Sequence, residues 1–156
     1  MRPTILASLA ILIADQASKW AVVEAMDLRA LGRIDVAPPY LTFRMAWNEG
    51  INFGLLAGGT DLTRWLLIAL AMVIVVWVWI WVRKPGQPLA ARVSAGLLIG
   101  GALGNVIDRL RYGAVADFLN MSVPGIENPY SFNVADIAVF LGAVGLLFFT
   151  GQDKTP

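Results

Sequence analysis

The sequence contains no histidine and no cysteine. Without histidine the chain cannot form a Ser-His-Asp triad or a His-Glu-x-x-His zinc site. Without cysteine it has no thiolate nucleophile, no disulfide bond and no cysteine-ligated metal. If this protein breaks a bond, its carboxylates are therefore the best general acids and bases that it has.

Charged residues are also scarce. They make up 15% of the 156 residues, whereas hydrophobic residues make up 58%, which is too apolar for an ordinary soluble domain. The net charge is +1 and no long block of like charge occurs, so nucleic acid is not expected as a partner. The composition predicts one membrane domain over residues 1–156, and we expect no metal and no other cofactor.

Long apolar runs predict a mainly α-helical membrane protein, a bundle of four transmembrane helices. Each run approaches the roughly 20 residues that a helix needs to cross a bilayer. The predicted spans are about 4–26, 62–82, 90–110 and 134–150. The first run could instead be a cleavable signal peptide, but ionisable residues lie inside it and its removal would leave an odd number of spans, which favours a retained helix.

Basic residues predict the orientation. Arg83, Lys84 and Arg92 lie between the second and third spans with no acidic residue among them, so this connection is predicted to be cytoplasmic. Both termini are then cytoplasmic, and segments 27–61 and 111–133 are extracytoplasmic.

The extracytoplasmic segments predict a small β-sheet and a short surface helix. Residues 27–33 favour an amphipathic helix, and the alternation over 40–47 is typical of a strand. Asn48-Glu49-Gly50 favours a turn before a returning strand over 51–56, and 114–123 favours a further strand.

The first span contains an acid and a base four residues apart. Asp15 and Lys19 share a helix face at this spacing and can form an ion pair. An ionisable group in a membrane helix normally faces the bundle interior or a wet cavity. The pair either locks the first helix to its neighbours or contacts a substrate, and the structural interpretation is favoured.

The third span combines small residues with a polar end. Gly96, Gly100 and Gly104 recur at every fourth position, which lets helix backbones approach closely. Beyond them, the i, i+3 and i+4 spacing places three polar side chains on one face: Asn105, Asp108 and Arg109.

Asp117 and Asp136 are the candidate acid and base. Asp136 lies in the first turn of the fourth span, where the helix dipole favours a negative charge, so helix capping alone would explain it. Capping does not explain why Asp108 and Asp117 lie at the same edge. Two close carboxylates cannot both ionise easily, so one holds a proton while the other accepts one. This is what hydrolysis of an amide by activated water needs, with Asp136 the better base and Asp117 the proton holder.

Five motifs in order resemble those of the lipoprotein signal peptidases, or signal peptidase II, which are bacterial membrane aspartyl peptidases. They are Asp15-Gln16-x-x-Lys19, Asn48-x-Gly50-x-x-Phe53-Gly54, Gly104-Asn105-x-x-Asp108-Arg109, Val115-x-Asp117-Phe118 and Phe132-Asn133-x-Ala135-Asp136. A departure is Asn52, where the family more often has a small residue. Each motif is weak alone, but the ordered set covers essentially the whole chain and is specific.

The resemblance implies an enzyme that removes the signal peptide from diacylglyceryl-modified prolipoproteins, cutting before the lipidated cysteine, in the bacterial inner membrane. Asp117 and Asp136 would be catalytic. Substrate-binding or site-shaping roles would fall to Asn48, Gly50, Phe53, Asn105, Asp108, Arg109, Asn133 and Ala135, and supporting roles to Asp15, Lys19 and Gly104. The sheet would be the family's periplasmic cradle and 27–35 its surface helix. Membrane lipid and the antibiotic globomycin would bind, and a monomer is expected.

Two non-enzymatic alternatives remain. A transporter or channel subunit would use Asp15, Lys19 and Asp108 as an ion path, but such acids would be spread across the membrane depth, whereas most lie at one edge. A scaffold or insertion chaperone would need no acid at all. A Gly-x-Gly-Asp intramembrane protease is excluded because that sequence does not occur.

Overall fold

The computed structural model describes residues 1–50 and 60–149. Helices dominate, and the strands lie together at one end of the bundle, called here the sheet end. In chain order the elements are α1 (Arg2–Lys19), continued by a π-helical segment (Trp20–Ala25), α2 (Leu28–Leu31), β1 (Arg33–Ala37), β2 (Leu41–Asn48), α3 (Thr60–Val82), α4 (Leu89–Tyr112), β3 (Val115–Met121) and α5 (Val134–Phe149).

The predicted apolar segments are all helical where they are described. Within the described residues, three helices are long and apolar enough to cross a membrane: Arg2–Ala25, Asp61–Val82 and Leu89–Tyr112. The fourth predicted span is the shorter apolar helix α5, which has 16 residues.

Helix α4 lies at the centre of the bundle and contacts α1, α3 and α5. Its glycines explain how closely α1 approaches. A Cβ atom at Gly96, Gly100 or Gly104 would lie 2.5 Å from the nearest atom of α1. The close helix packing that the four-residue glycine repeat predicts is therefore present. It brings the ionisable residues of α1 directly against α4.

The sheet has three antiparallel strands in the order β1-β2-β3. The predicted strands over 40–47 and 114–123 correspond to β2 and β3. The predicted returning strand over 51–56 lies outside the described residues. A bulge between Phe43 and Ala46 interrupts the pairing of β2 with β3, so the simple alternation predicted for β2 does not continue along the whole strand.

The predicted surface helix over 27–33, extended by the family resemblance to 35, is corrected. The helix covers only Leu28–Leu31, and Arg33–Ala37 is strand β1. Gly32, with φ of 73°, ends the helix in a conformation that glycine adopts easily. The chain then leaves the helix axis and pairs with β2.

A small apolar core attaches the sheet to the helices. The π-helical segment contributes Val23, α2 contributes Leu28 and β3 contributes Phe118, all of which are almost fully buried. The Phe118 ring packs edge-on against Phe43 of β2, with the ring centroids 5.9 Å apart. Successive side chains of a strand point to opposite faces. Because Phe118 points into this core, Asp117 points to the other face of β3.

Candidate active site

Asp117 lies on β3 and is held by two amide side chains. Its Oδ1 accepts a hydrogen bond of 2.6 Å from Asn133 Nδ2, and its Oδ2 accepts one of 3.1 Å from Asn48 Nδ2. The residue before Asn133 is joined to β3, because the N–H groups of Phe118 and Leu119 donate to the carbonyl of Phe132. Backbone pairing therefore brings the start of α5 beside Asp117.

Asp136 is held at the start of α5 by a reciprocal cap. Its backbone N–H donates to Asn133 Oδ1 at 2.8 Å, and the Asn133 N–H donates to Asp136 Oδ2 at 3.2 Å. This is a capping-box arrangement, with asparagine in place of the usual serine or threonine and aspartate in place of the usual glutamate. Asn105 Nδ2 of α4 donates to the other oxygen, Oδ1, at 2.9 Å. The helix cap that the sequence offered as a sufficient reason for Asp136 is therefore present. The same contacts also fix the Asp136 carboxylate beside Asp117.

Asn133 joins the two carboxylates. Its side-chain nitrogen donates to Asp117, whereas its side-chain oxygen and backbone N–H hold Asp136. The side chain is fully buried and also donates to Asn105 Oδ1 at 3.3 Å. Asp117 and Asp136 are thus positioned as one unit by shared amide contacts.

The surroundings of Asp117 favour its protonated form. Burial of the carboxyl group, reinforced by the nearby negative charge of Asp136, raises the pKa of Asp117 to about 7. The hydrogen bonds from Asn48 and Asn133 and the positive charge of Lys19 act in the opposite direction but are outweighed. Asp117 can therefore hold a proton near neutral pH.

A second pair of carboxylates lies deeper in the bundle, around Lys19. The Lys19 ammonium lies 2.8 Å from Asp15 Oδ2 and 2.7 Å from Asp108 Oδ2. All three side chains are at most 4% exposed. The ion pair predicted from the i, i+4 spacing in α1 is present, and the same lysine also reaches α4.

The deeper carboxylates bind backbone groups as well. Asp15 Oδ1 accepts from the Ala135 N–H at 3.0 Å, and Asp108 Oδ2 accepts from the Ala116 N–H at 3.1 Å. Lys19 Nζ also lies 3.5 Å from Asn105 Oδ1. Asp117 and Asp136 are called here the outer pair. The deeper cluster therefore binds the backbone N–H of the residue that precedes each aspartate of the outer pair.

The remaining predicted site residues either lie around the four aspartates or fall outside the described residues. Arg109 donates to the Asn105 carbonyl at 3.4 Å and is close enough to Asp117 and Asp136 for electrostatic attraction. Gly50 has φ of 103° and its N–H donates to Asn48 Oδ1 at 3.0 Å, as expected of the predicted turn. Phe53, together with Gly54 and Asn52, lies outside the described residues.

One glycine and one alanine lie against the deeper cluster. A Cβ atom at Gly104 would lie 2.5 Å from Asp15 Oδ2, so only glycine leaves room for this carboxylate. Ala135 is fully buried against the same region of α4. Among the described residues, no group of three or more acidic side chains is arranged to hold a metal ion.

Gln16 is a site residue that the prediction did not single out, although it lies within the first motif. Its Nε2 lies 3.1 Å from Asp15 Oδ2 and 3.1 Å from Asp108 Oδ1. An amide beside an aspartate within an apolar span was the available signal, because an amide removed from water needs hydrogen-bond partners in the protein.

Comparisons with known proteins agree with this arrangement. The family model for signal peptidase (SPase) II matches residues 7–151. The lipoprotein signal peptidase of Methylorubrum extorquens (strain PA1) is 42% identical over 146 residues, covering 94% of this chain and 84% of the relative. That of Nitrobacter hamburgensis is 39% identical over 151 residues, covering 95% and 91%.

Solved structures share the fold. A bacterial membrane enzyme determined at 1.9 Å resolution has a TM-score of 0.81 and 27% sequence identity, covering 99% of this chain and 96% of that chain. A second, determined at 2.3 Å, has a TM-score of 0.78 and 28% identity. Sequence and fold agree over nearly the whole length, so this multi-pass membrane protein belongs to the signal peptidase II family of aspartic peptidases.

Proposed function

We propose that Asp117 and Asp136 are the catalytic dyad with which this chain cleaves signal peptides from prolipoproteins. Membership of the signal peptidase II family makes the chain an aspartic lipoprotein signal peptidase. The observation that supports the dyad is the pair of carboxylates joined through Asn133, with no cationic side chain hydrogen-bonded to either of them among the described residues.

Asp117 serves as the general acid. A group with a pKa of about 7 holds its proton over much of the neutral range and still releases it readily. Asp117 donates this proton to the carbonyl oxygen of the scissile amide as water attacks. In the collapse of the tetrahedral intermediate, Asp136 gives the proton that it took from water to the leaving amine, and Asp117 takes a proton back from a hydroxyl group of the intermediate.

Asp136 serves as the general base. It lies in the first turn of α5, where the helix dipole favours a negative charge, and its two oxygens accept from the Asn133 backbone N–H and the Asn105 side chain. It accepts a proton from the attacking water while Asp117 protonates the carbonyl. The two aspartates exchange ionisation states during the reaction.

The neighbouring side chains shape the substrate site. Arg109, Asn48 and Asn105 border the dyad and orient the peptide or polarise its groups. Gly50, Ala135, Asn133 and Asp108 shape the backbone around it, and Phe53 is proposed to contact substrate on the basis of the motif alone. Globomycin is proposed to inhibit the chain by occupying this site.

We propose that this site lies where a signal peptide emerges from the membrane. We propose four spans with α5 as the fourth, the connection containing Arg83, Lys84 and Arg92 in the cytoplasm, and the sheet end outside. The sheet then forms a cradle at the outer surface of a bacterial inner membrane. The substrate is a precursor carrying diacylglyceryl on the cysteine after the cleavage site, and lipid attachment holds that bond at the depth of the dyad.

The alternative of an ion path through the bundle has less support. Asp15 and Asp108 are both paired with Lys19 and bound to backbone N–H groups, so their oxygens are already engaged. A proton or ion carrier needs groups that can exchange partners along the membrane depth.

The test is cleavage of a lipid-modified prolipoprotein peptide by the purified full-length chain. Asp117→Asn and Asp136→Asn should each lower kcat by about 10³-fold or more, because each removes one proton-transfer group. Asp61→Asn, at an aspartate whose side chain is 86% exposed, is the matched control and should cleave like the wild type.

Two results would contradict the proposal. Cleavage retained by either dyad variant, with folding and yield unchanged, would exclude that aspartate as a catalytic group. Equal cleavage of the same peptide without diacylglyceryl would exclude the proposed lipid requirement but leave the dyad intact.

A further inference from the structure

Each deeper carboxylate binds the backbone N–H that immediately precedes one of the dyad aspartates. Asp108 accepts from the N–H of Ala116, the residue before Asp117. Asp15 accepts from the N–H of Ala135, the residue before Asp136. The two contacts, 3.1 and 3.0 Å long, come from different helices and reach different parts of the chain.

Lys19 connects these two contacts. Its ammonium lies between Asp15 and Asp108, at 2.8 and 2.7 Å, and its third neighbour is Asn105 Oδ1 at 3.5 Å. Asn105 in turn donates to Asp136. Buried ion pairs of this kind seldom add net stability over an apolar core of the same volume, so their retention calls for another role.

We propose that Lys19 is a positioning residue: it sets the spacing of Asp117 and Asp136 by tying together the two carboxylates that hold the backbone before each of them. This inference rests on the proposed dyad. Lys19 does not contact the reacting groups itself. It acts together with the backbone hydrogen bonds of Phe132 and the side chain of Asn133, which also hold the start of α5 beside β3.

The geometry explains why a cation is required at this position. Two carboxylates brought together without compensation repel one another, and the two backbone contacts would separate. The Lys19 ammonium holds both carboxylates within hydrogen-bond distance, and the Gln16 amide, which lies 3.1 Å from each of them, adds no compensating charge. Lys19 therefore keeps the N–H groups of Ala116 and Ala135 at a defined separation. Misplacing catalytic groups by about 1 Å can cost about 10²-fold in rate.

The experiment separates positioning from charge compensation. Lys19→Met removes the ammonium but leaves two unpaired buried carboxylates, so it is expected to lower both stability and kcat. The triple variant Asp15→Asn/Lys19→Met/Asp108→Asn has no buried charge at these positions, and its amide oxygens can still accept from Ala116 and Ala135. We expect it to recover the thermal stability that Lys19→Met loses but to retain a kcat about 10–100-fold below wild type, with KM changed less than about threefold.

Lys84→Met is the matched control, because Lys84 is an exposed lysine in the turn after α3. It should change neither kcat nor stability. Assays use the full-length protein and the lipid-modified prolipoprotein peptide, and folding is followed by thermal unfolding in detergent.

A triple variant with wild-type kcat would overturn the inference, because neutralising the carboxylates would then be all that Lys19 does. A fall in binding with unchanged kcat would also overturn it. If neither the single nor the triple variant folds, Lys19 maintains the fold and the positioning role is contradicted. These outcomes differ from failure of the proposed function, in which Asp117→Asn or Asp136→Asn retains cleavage.

Discussion

The protein contains two pairs of aspartates, and their partners differ. The deeper pair, Asp15 and Asp108, is bridged by the Lys19 ammonium and binds backbone N–H groups. The outer pair, Asp117 and Asp136, receives its side-chain hydrogen bonds from the neutral amides of asparagines. Both pairs are composed of the same residue type, so the different roles that we propose for them rest on these partners.

The partners determine how each pair relieves the repulsion between its carboxylates. At the deeper pair a cation compensates the charge, and the oxygens can hold the backbone permanently. At the outer pair the asparagine amides orient the carboxylates but add no positive charge. A proton on Asp117 therefore relieves the repulsion between the two carboxylates. A pair compensated by a cation supports the fold, whereas a pair compensated by a proton can do acid–base chemistry.

The largest expected effect on stability is at the deeper pair. Asp108→Ala removes the acceptor for the Ala116 N–H and one of the partners of Lys19, so the free energy of unfolding should fall by about 3–5 kcal/mol. Asp108→Asn keeps an acceptor and should lose less. Thermal unfolding in detergent measures both, and an Asp108→Ala variant as stable as the wild type would show that the two pairs do not differ in this way.

At the outer pair, Asn133→Ala should affect catalysis more than folding. It removes the hydrogen-bond donor to Asp117 and the side-chain acceptor that caps α5, and we expect kcat to fall by about 10²–10³-fold. Asn128→Ala is the control, because this asparagine bonds within the 120–130 loop. Comparable kcat values in the two variants would mean that Asn133 does not organise the dyad.

A smaller effect should appear in the pH dependence of stability. Because folding raises the pKa of Asp117, the folded state binds this proton more tightly, and stability is lost as pH rises from about 4 towards about 7. Asp117→Asn removes this loss. Its gain over wild type at pH 8 should be on the order of 1–2 kcal/mol after allowance for solvent screening, and should disappear near pH 4. A pH-independent difference between the two proteins would contradict the raised pKa.

Local spacing was sufficient to predict several of these features. The i, i+4 spacing predicts the Asp15–Lys19 pair, and the i, i+3 spacing of Asn133 and Asp136 matches the capping box. The helices follow from apolar runs because a segment that crosses a bilayer must satisfy its backbone hydrogen bonds internally, whatever its neighbours are. The motifs containing Asp117 and Asp136 were sufficient to nominate the dyad.

Features that depend on distant parts of the chain could not be predicted. The alternation of polar and apolar residues over 33–36 is compatible with a strand, but β1 forms only because β2 is available to pair with it. The hydrogen bond from Ala135 to Asp15 joins residues 120 positions apart. The same applies to Gln16, whose contact with Asp108 requires α1 and α4 to approach as closely as their glycines allow.

The pH dependence of kcat/KM for the lipid-modified peptide tests the central claim most directly, that Asp117 supplies the proton with which the dyad acts. Asp117 must be protonated in the free enzyme, so the account predicts that kcat/KM falls as pH rises above about 7. A kcat/KM that stays constant from about pH 6 to pH 9 would contradict it.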